Sequence, residues 1–341
     1  MASRRHLPGV HRPGLWGEVL TAKKITRREL ARLGGLGALT AMTGGARTSR
    51  NPRGRVGVAR LQAGARGGLN PAAARRAMRG AIRAATGSTS ATAALAAVFR
   101  PSDVVGIKVN CLAGPRLSPR VELVRALAEL LVEAGVPADR IIVFERSTRE
   151  LRRAGYPVGR AGEPFRLVGI DNDYFPEVAT SGSIGSLYAR LVARTCTALV
   201  SFGVVKSHDL AGVSAGLKNW YGVIHNPNKY HDHNCDPYVA DVFNHPYIRG
   251  KFRLTVLDGV TAQYEGGPAW KPRFAWPLER VAVSLDPVAA DAWAWRILDN
   301  ERVRRGLPTL AQAKRPPRFI ATAARYGLGE GDPARIREVR A

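Results

Sequence analysis

Short apolar runs, rich in β-branched residues, recur along this chain and alternate with longer stretches that carry apolar residues at helical spacing. Runs of this length and composition are typical of strands buried in a parallel sheet. They predict strands over residues 54–61, 103–110, 140–145, 165–170, 197–205, 252–260 and 280–286. The longer stretches predict helices over residues 71–85, 91–99, 119–134, 184–194 and 287–299.

The order of these elements predicts the fold class. Pro119 begins a predicted helix and Gly135 follows its end, so residues 103–145 form a strand, a helix and a second strand. Strands that alternate with helices predict an α/β fold, namely a three-layer, mostly parallel sheet with helices on both faces. In such sheets, ligands bind beyond the carboxyl ends of the strands.

Length and composition fit one large domain. The chain has 341 residues, of which 45% are hydrophobic and 23% charged, which is a globular composition. We expect a leader over residues 1–46 and a single α/β domain over residues 47–341. Cys111, Cys196 and Cys235 lie far apart without a C-x-x-C pair. This spacing excludes a disulfide framework and a sequence-local four-cysteine zinc or iron–sulfur site.

The net charge of +25 is unevenly distributed and rests mainly on arginine. Residues 47–100 hold 11 basic and no acidic side chains, and 43 of the 52 basic residues are arginine. Such a bias is typical of compositional drift, so no nucleic acid is expected as a partner. That alternative requires residues 47–100 to form one continuous basic face. Where lysine persists, a compact ammonium is favoured over a planar guanidinium, as at Lys108, Lys206, Lys218 and Lys229.

The N-terminal region carries an export pattern. Residues 26–32, TRRELAR, resemble a twin-arginine signal, and the weakly apolar segment 33–46 follows. That segment is too short to remain as a membrane anchor, so no permanent membrane span is expected. We therefore expect the twin-arginine translocase as a partner and a periplasmic or otherwise extracytoplasmic location. The alternative is an ordinary Ala/Gly-rich helix with an incidental arginine pair.

Polar side chains gather where the predicted strands end, and they indicate an anion-binding pocket. Lys206 and His208 follow a long apolar run, and the glycine-flanked segment 212–222 carries Lys218. Backbone N–H groups of such a segment can hold an anion whose charge the lysines neutralise. We expect catalytic residues at Lys206, His208, Lys218, Asn219 and Asp258, and ligand-binding residues at Lys108, Asn110, Gly222, Asp286 and Asp291.

Two alternatives bear on this pocket. The lysines could instead pair with Asp258, Asp286 and Asp291 and hold the edge of the sheet. The common nucleotide and hydrolase sites are excluded, because the chain lacks a G-x-G-x-x-G turn before its first helix, a P-loop and a G-x-S-x-G elbow.

A second candidate site is a metal centre. Five of the seven histidines lie within residues 208–245, and His231, His233 and Cys235 follow one another at every second position. In an extended segment all three side chains point to one side. Imidazole and thiolate favour zinc or iron over harder cations. The alternatives are a loop of solvated histidines and histidines that cap neighbouring helices.

Four motifs in order resemble one bacterial and archaeal family. They are GIKVN at 106–110, VVKSHDLAGVSAGLKNWYGVI at 204–224, VLDGVTAQYEGGP at 256–268 and SLDPVAADAWA at 284–294. The family is catalogued as domain of unknown function 362, and the resemblance covers most of residues 55–300. It implies an α/β domain without an assigned reaction. Some relatives carry ferredoxin-type cysteine inserts, from which this chain departs, so it has no iron–sulfur cluster motif.

Family positions and pocket candidates coincide. The resemblance carries over onto Lys108, Asn110, Lys206, His208, Lys218, Asn219, Gly222, Asp258, Gly266, Gly267, Pro268, Asp286, Pro287 and Asp291. We expect an exported enzyme that acts on a small anionic substrate, with His208 as general acid or base. The alternative is a non-catalytic periplasmic ligand-binding or cofactor-carrier protein that uses the same pocket.

Replacing Arg27 and Arg28 by lysine is expected to retain the precursor in the cytoplasm, because the paired guanidinium groups are what the export receptor reads. Cell fractionation followed by immunoblotting measures the distribution. Normal export of the double variant would exclude a twin-arginine signal.

Overall fold

The structure, a computed structural model, describes residues 53–64 and 68–341. The twin-arginine motif, the weakly apolar segment and the boundary expected at residue 46 lie outside these residues. The described residues belong to one compact unit. None of the helices in this part of the chain is long and apolar enough to cross a membrane.

The described residues include twelve strands and eight α-helices. The strands are β1 (Arg55–Arg60), β2 (Val105–Val109), β3 (Ile141–Glu145), β4 (Arg166–Gly169), β5 (Ala179–Ser181), β6 (Ile184–Ser186), β7 (Ala198–His208), β8 (Gly212–Ser214), β9 (Phe252–Gln263), β10 (Ala275–Trp276), β11 (Arg280–Ser284) and β12 (Arg337–Arg340). The helices are α1 (Pro71–Thr86), α2 (Ala91–Ala96), α3 (Val121–Glu133), α4 (Thr148–Arg153), α5 (Tyr238–Asn244), α6 (Pro246–Arg249), α7 (Pro287–Arg304) and α8 (Arg318–Arg325).

Ten of the strands form one sheet, whose main path runs β12-β1-β11-β9-β7-β2-β3-β4. The five strands from β9 to β4 are all parallel, whereas β11 runs antiparallel to both β9 and β1. Strand β8 turns back along β7, and the short strand β10 pairs with β9. The α/β class with a mostly parallel sheet is confirmed.

Separate hydrophobic cores cover the two faces of the sheet. On β2, the side chains of Val105, Ile107 and Val109 all enter the core that is shared with α1 and α3. Helix α7 packs in the other core. Because successive residues of a strand face opposite sides, the alternate residue Lys108 lies on the α7 side of the sheet. The three-layer arrangement with helices on both faces is therefore confirmed.

All seven predicted strands are present, with small changes at their ends. The helix predicted over 184–194 is wrong: residues 184–186 form β6, which pairs with β5, and Leu191–Thr195 forms a π-helical turn. Gly182, with φ of +54°, forms the turn between β5 and β6. Along β6 the side chains of Ile184 and Ser186 are buried. This alternation fits a strand better than a helix.

Asp286 joins the end of β11 to the rest of the fold. Its Oδ1 accepts hydrogen bonds from the backbone N–H groups of Val288 and Ala289 at 3.0 and 2.8 Å, which caps helix α7. Its Oδ2 accepts from the N–H groups of Gly54 and Glu330 at 3.0 and 2.9 Å. One buried carboxylate therefore ties the start of helix α7 to two distant segments of the chain.

Asp286→Asn is expected to lower the free energy of unfolding by about 1–3 kcal/mol, because an amide group places a donor against two of the four N–H groups. Urea unfolding followed by circular dichroism measures the change. Asp139→Asn is the matched control, since Asp139 is exposed and such changes stay within about 0.5 kcal/mol. Equal stability of the two variants would contradict the assignment.

Candidate functional site

A cavity of about 330 Å³ lies at the carboxyl ends of the parallel strands β2, β3 and β7. Six of the residues expected in the pocket line it, namely Lys108, Asn110, His208, Lys218, Asn219 and Gly222. Strand ends bring Lys108, Asn110 and His208 to this edge, and a 3-10 helix, Lys218–Val223, supplies the others. The edge of the sheet predicted to bind ligands therefore contains the cavity.

A buried ion pair forms the floor of this cavity. Lys108 Nζ donates to Glu145 Oε1 at 2.7 Å, and both side chains are almost fully buried. The same ammonium donates to the carbonyl oxygen of Val109 and to Asn219 Oδ1. Glu145 Oε2 in turn accepts from the backbone N–H of Cys111 at 2.7 Å. All three ammonium hydrogens of Lys108 are therefore engaged within the protein.

The 3-10 helix packs directly on this ion pair. Asn219 Nδ2 donates to the carbonyl oxygen of Lys108 at 2.7 Å and to Ser201 Oγ at 3.1 Å. A Cβ atom at Gly222 would lie 2.9 Å from Lys108 Nζ. Only glycine therefore leaves room for the lysine at this position, which explains Gly222 by packing rather than by ligand contact alone.

Asp291, which was expected to bind ligand, instead positions the turn that precedes Lys218. Its Oδ2 accepts from the backbone N–H groups of Gly216 and Leu217 at 2.9 and 3.0 Å. Asp291 is completely buried on helix α7, and burial raises its pKa to about 7. It acts on the cavity through the backbone and does not line it.

Lys206 lies behind the cavity wall and forms no direct ion pair with a carboxylate of the described residues. Its Nζ donates to Asn110 Oδ1 at 3.1 Å, which is its only hydrogen bond to the described residues. Since Lys206 occupies the carbonyl end of this amide, the Asn110 Nδ2 group remains as a donor for a ligand. Burial lowers the pKa of Lys206 to about 8, against the opposing effect of Glu145.

Lys218 lines the cavity and also lacks an acidic partner within the described residues. Its Nζ lies 3.1 Å from His231 Nε2 and 4.0 Å from the centre of the Tyr221 ring. The thiol of Cys235 is a further neighbour. Burial lowers the pKa of Lys218 to about 8, and the neighbouring Cys235 side chain opposes this shift. The alternative in which Lys206 and Lys218 pair with aspartates at the sheet edge is wrong.

His208 is held as a neutral imidazole. Its Nδ1 accepts from the backbone N–H groups of Leu210 and Ala211 at 3.1 and 3.2 Å, so Nε2 carries the hydrogen. Burial first, and then the positive charge of Lys218, lower the pKa of His208 to about 2. This state favours a hydrogen-bond donor to a ligand and not the general acid or base expected from the sequence.

The other two expected acidic residues, Asp258 and Asp286, also lie outside the cavity. Asp258 sits within β9, where its carboxylate pairs with Arg120 Nη1 at 3.0 Å and accepts from the N–H of Val260 at 2.9 Å. Asp286 caps helix α7, as described above. Their oxygens are occupied by these partners, so nothing in their surroundings supports the catalytic and ligand-binding roles expected of them.

The expected metal ligands are not brought together. His233 and Cys235 belong to a 3-10 turn in which residues 233, 234 and 235 have φ of 52°, 61° and 61°, so the extended segment expected here is wrong. His233 is exposed, Cys235 is buried and His231 lines the cavity. In the described part of the chain, no group of three or more His, Cys, Asp or Glu is arranged to hold a metal ion. A bound zinc or iron stays a prediction.

Of the remaining cavity residues, Pro268 is a family position, whereas Arg146, Leu112 and Leu210 were not assigned to the pocket from the sequence. Arg146 follows Glu145 directly and forms an ion pair with Glu150, so both carboxylates of the cavity are matched by cations. The opposite walls are apolar and include Leu112, Leu210, Tyr221 and Pro268. The strand end at Glu145 could have identified Arg146, whereas nothing in the sequence indicates where the apolar side chains meet.

Comparisons with known proteins place these features in a family context. The family described as "Domain of unknown function (DUF362)" matches residues 105–296, which hold most of the cavity. No curated protein matches the chain. A crystal structure of a protein from Thermotoga maritima is similar at 10% identity and a TM-score of 0.40, over 69% of this chain and 59% of the other. The chain thus spans less than two thirds of that protein's length.

Glu145→Gln is expected to lower the free energy of unfolding by about 3–5 kcal/mol, because it leaves the Lys108 ammonium buried without its counter-charge. The double variant Lys108→Met with Glu145→Gln removes both charges and should recover part of this loss. Urea unfolding of the double variant and of the single variants Glu145→Gln and Lys108→Met measures the coupling. A single variant as stable as the wild type would show that the ion pair does not hold this edge together.

Proposed function

Because this chain belongs to the DUF362 family, whose description names no reaction, we propose its function from the chemistry of the cavity. The protein binds a small anionic substrate, a carboxylate or a phosphate, at the carboxyl ends of β2, β3 and β7. It acts on this substrate as an enzyme. The bound metal expected from the sequence is no part of the proposal.

The charge of the two buried lysines carries this proposal. Glu145 and Glu150 are already matched by Lys108 and Arg146. Lys206 and Lys218 form no ion pair within the described residues. Both are buried, since only 1% and 7% of their surfaces are exposed. Buried charges are ordinarily paired, because removing an ion from water is costly. An anion in the cavity supplies the missing partner.

The polar groups that face the cavity are chiefly donors. Lys218 presents an ammonium, His208 an Nε2–H and Asn110 an Nδ2 amide, and these three side chains share one cavity. Donors of this kind fit the oxygen atoms of a carboxylate or phosphate. The apolar side chains of Leu112, Leu210 and Tyr221 complete the walls. The preferred substrate therefore combines an anionic group with an apolar body.

The Lys218–His231 hydrogen bond favours an enzyme over a passive carrier. Lys218 lies within hydrogen-bond distance of His231 Nε2, so a proton can pass between them beside the bound anion. A non-catalytic ligand-binding or cofactor-carrier protein would need only the donors. Turnover of a retained ligand distinguishes the two functions, since a carrier keeps its ligand unchanged.

We further propose that the protein acts outside the cytoplasm. The twin-arginine pattern of residues 26–32 and the short apolar segment after it support export by the twin-arginine translocase. That pathway carries folded proteins, so the cavity would form before transport. Cell fractionation of the arginine-pair variant tests this part of the proposal separately.

The affinity for a small carboxylate is expected to fall as the pH rises through about 8, because Lys206 and Lys218, whose pKa values are both lowered to about 8, lose their charge there. An exposed lysine, with a pKa of about 10.4, would stay charged in this range. Lys206→Met should weaken binding at pH 7 about tenfold or more, because it removes a buried positive charge that lies behind Asn110, and should make the pH dependence shallower. Isothermal titration calorimetry with 3-phenylpropionate, propionate and inorganic phosphate measures the affinities.

Lys229→Met is the matched control, because Lys229 is an exposed lysine of the same region and should leave the affinity unchanged. Since the charge of the two carboxylates is constant above pH 6, only the protein titrates in those experiments. Absence of binding by all three probes, or binding that is constant up to pH 10, would overturn the proposal.

A further inference from the structure

Lys218, His231 and a backbone carbonyl form a continuous chain of hydrogen bonds beside the cavity. His231 Nδ1 lies 3.1 Å from the carbonyl oxygen of Pro227. Because a carbonyl oxygen can only accept, Nδ1 carries the hydrogen of the neutral imidazole and Nε2 keeps its lone pair. Nε2 lies 3.1 Å from Lys218 Nζ and therefore accepts a hydrogen bond from the lysine.

This arrangement has the parts of an activated nucleophile. A nucleophilic group lies within hydrogen-bond distance of a base, and a third group orients that base. Lys218 supplies an amine, His231 the base and Pro227 the orienting carbonyl. With the hydrogen on Nδ1 directed at Pro227, the Nε2 lone pair of His231 faces the lysine and can accept its proton.

The other nucleophilic groups near the cavity are less suited to attack a ligand. Lys108 uses all its ammonium hydrogens within the protein. Lys206 does not line the cavity, since it lies behind Asn110. The thiol of Cys235 is buried, and burial raises its pKa, which keeps it protonated. Lys218 is therefore the amine that both reaches the cavity and has a base beside it.

We propose that Lys218 forms an imine with the carbonyl carbon of a small 2-oxo acid, with His231 as the group that takes the lysine proton. This inference rests on the proposed function, because the donors described above hold the carboxylate of the same molecule. His208 Nε2–H and Asn110 Nδ2 serve as those donors, and Lys206 adds its positive charge behind Asn110. The apolar walls receive the side chain of the 2-oxo acid.

The bond changes balance without a further reactant. His231 takes one proton from the Lys218 ammonium, and the free amine adds to the carbonyl carbon to form a C–N bond. The former carbonyl oxygen takes one proton from the nitrogen and one from His231. It then leaves as water. In sum, ammonium and ketone become a protonated imine and one water molecule. No oxidant, reductant or metal ion takes part.

Borohydride trapping tests the imine on the full protein. The protein is incubated with phenylpyruvate or pyruvate in the presence of a metal chelator, reduced with sodium borohydride, and examined by intact mass and peptide mapping. We expect one adduct per chain, located on Lys218, with a mass gain equal to the 2-oxo acid less one water molecule plus two hydrogens, that is, the acid less one oxygen atom. The matched acid 3-phenylpropionate, which lacks the carbonyl, should give no adduct.

Three variants locate the nucleophile and the base. Lys218→Arg should abolish the adduct, and Lys229→Arg, which changes an exposed lysine of the same region, should leave it intact. His231→Gln should slow trapping about 100-fold at pH 7, the range typical of a general base. The difference from wild type should shrink at pH 9, where the amine is largely free without help. A purely structural role for His231 would keep the difference constant.

That pH comparison depends on every titratable group near the amine. The groups that face Lys218 or act electrostatically on it are Lys206, His208, Tyr221, His231 and Cys235. Burial lowers the pKa of His208 to about 2 and raises that of Tyr221 beyond the range studied. The comparison is therefore repeated in the Lys206→Met variant. There too, His231→Gln should slow trapping more at pH 7 than at pH 9.

The outcomes separate the two proposals. An adduct on Lys218 that depends on His231 supports the imine. If 3-phenylpropionate binds but neither 2-oxo acid gives an adduct on Lys218, the imine is overturned and the anion site stands. If neither the acids nor inorganic phosphate binds, both proposals fail. An adduct spread over several lysines, unchanged in Lys218→Arg, would also overturn the assignment.

Discussion

The Lys108–Glu145 ion pair is the interaction on which this edge of the molecule depends. It joins the ends of β2 and β3, and through Asn219 it also holds the 3-10 helix that carries Lys218. Because the ammonium and the carboxylate satisfy one another and the nearby backbone, neither charge is left without a partner at the floor of the cavity. The charges that remain unmatched are therefore those of Lys206 and Lys218.

Those two unmatched charges weaken the fold in the absence of a ligand. A lysine whose folded pKa is about 8 binds fewer protons than the unfolded chain between about pH 8 and pH 10.4, so stability rises with pH across that window. At neutral pH the two lysines are protonated in both the folded and the unfolded protein, so the full loss of stability is present. A bound anion offsets it, so ligand binding and stability are coupled at this site. This is the pattern expected where function outweighs local stability.

Much of the fold could be predicted from the sequence, because buried parallel strands are continuous apolar runs. Short or edge strands such as β5, β6 and β12 carry no such pattern, and residues 184–194 were misassigned as a helix. Within the site, the rarity of lysine identified Lys108 and Lys218. Asp258 and Asp286 were expected in the pocket, but the topology of the sheet places them elsewhere. Strand β9 continues five residues past Asp258, and β11 runs antiparallel, so Asp286 at its end lies at the opposite edge of the sheet.

The placement of charge favours a small anion over a polyanion. On helix α1, which belongs to the arginine-rich stretch, Arg75 and Arg79 pair with Glu129 and Glu133 of α3, so the charges of these two arginines are already matched. Surface pairs of this kind exchange easily with solvent ions and are worth little. The cations without a partner at the cavity are instead buried, within a space of about 330 Å³. A polymer backbone reaches surface charges, whereas only a small molecule can enter the cavity and neutralise Lys218.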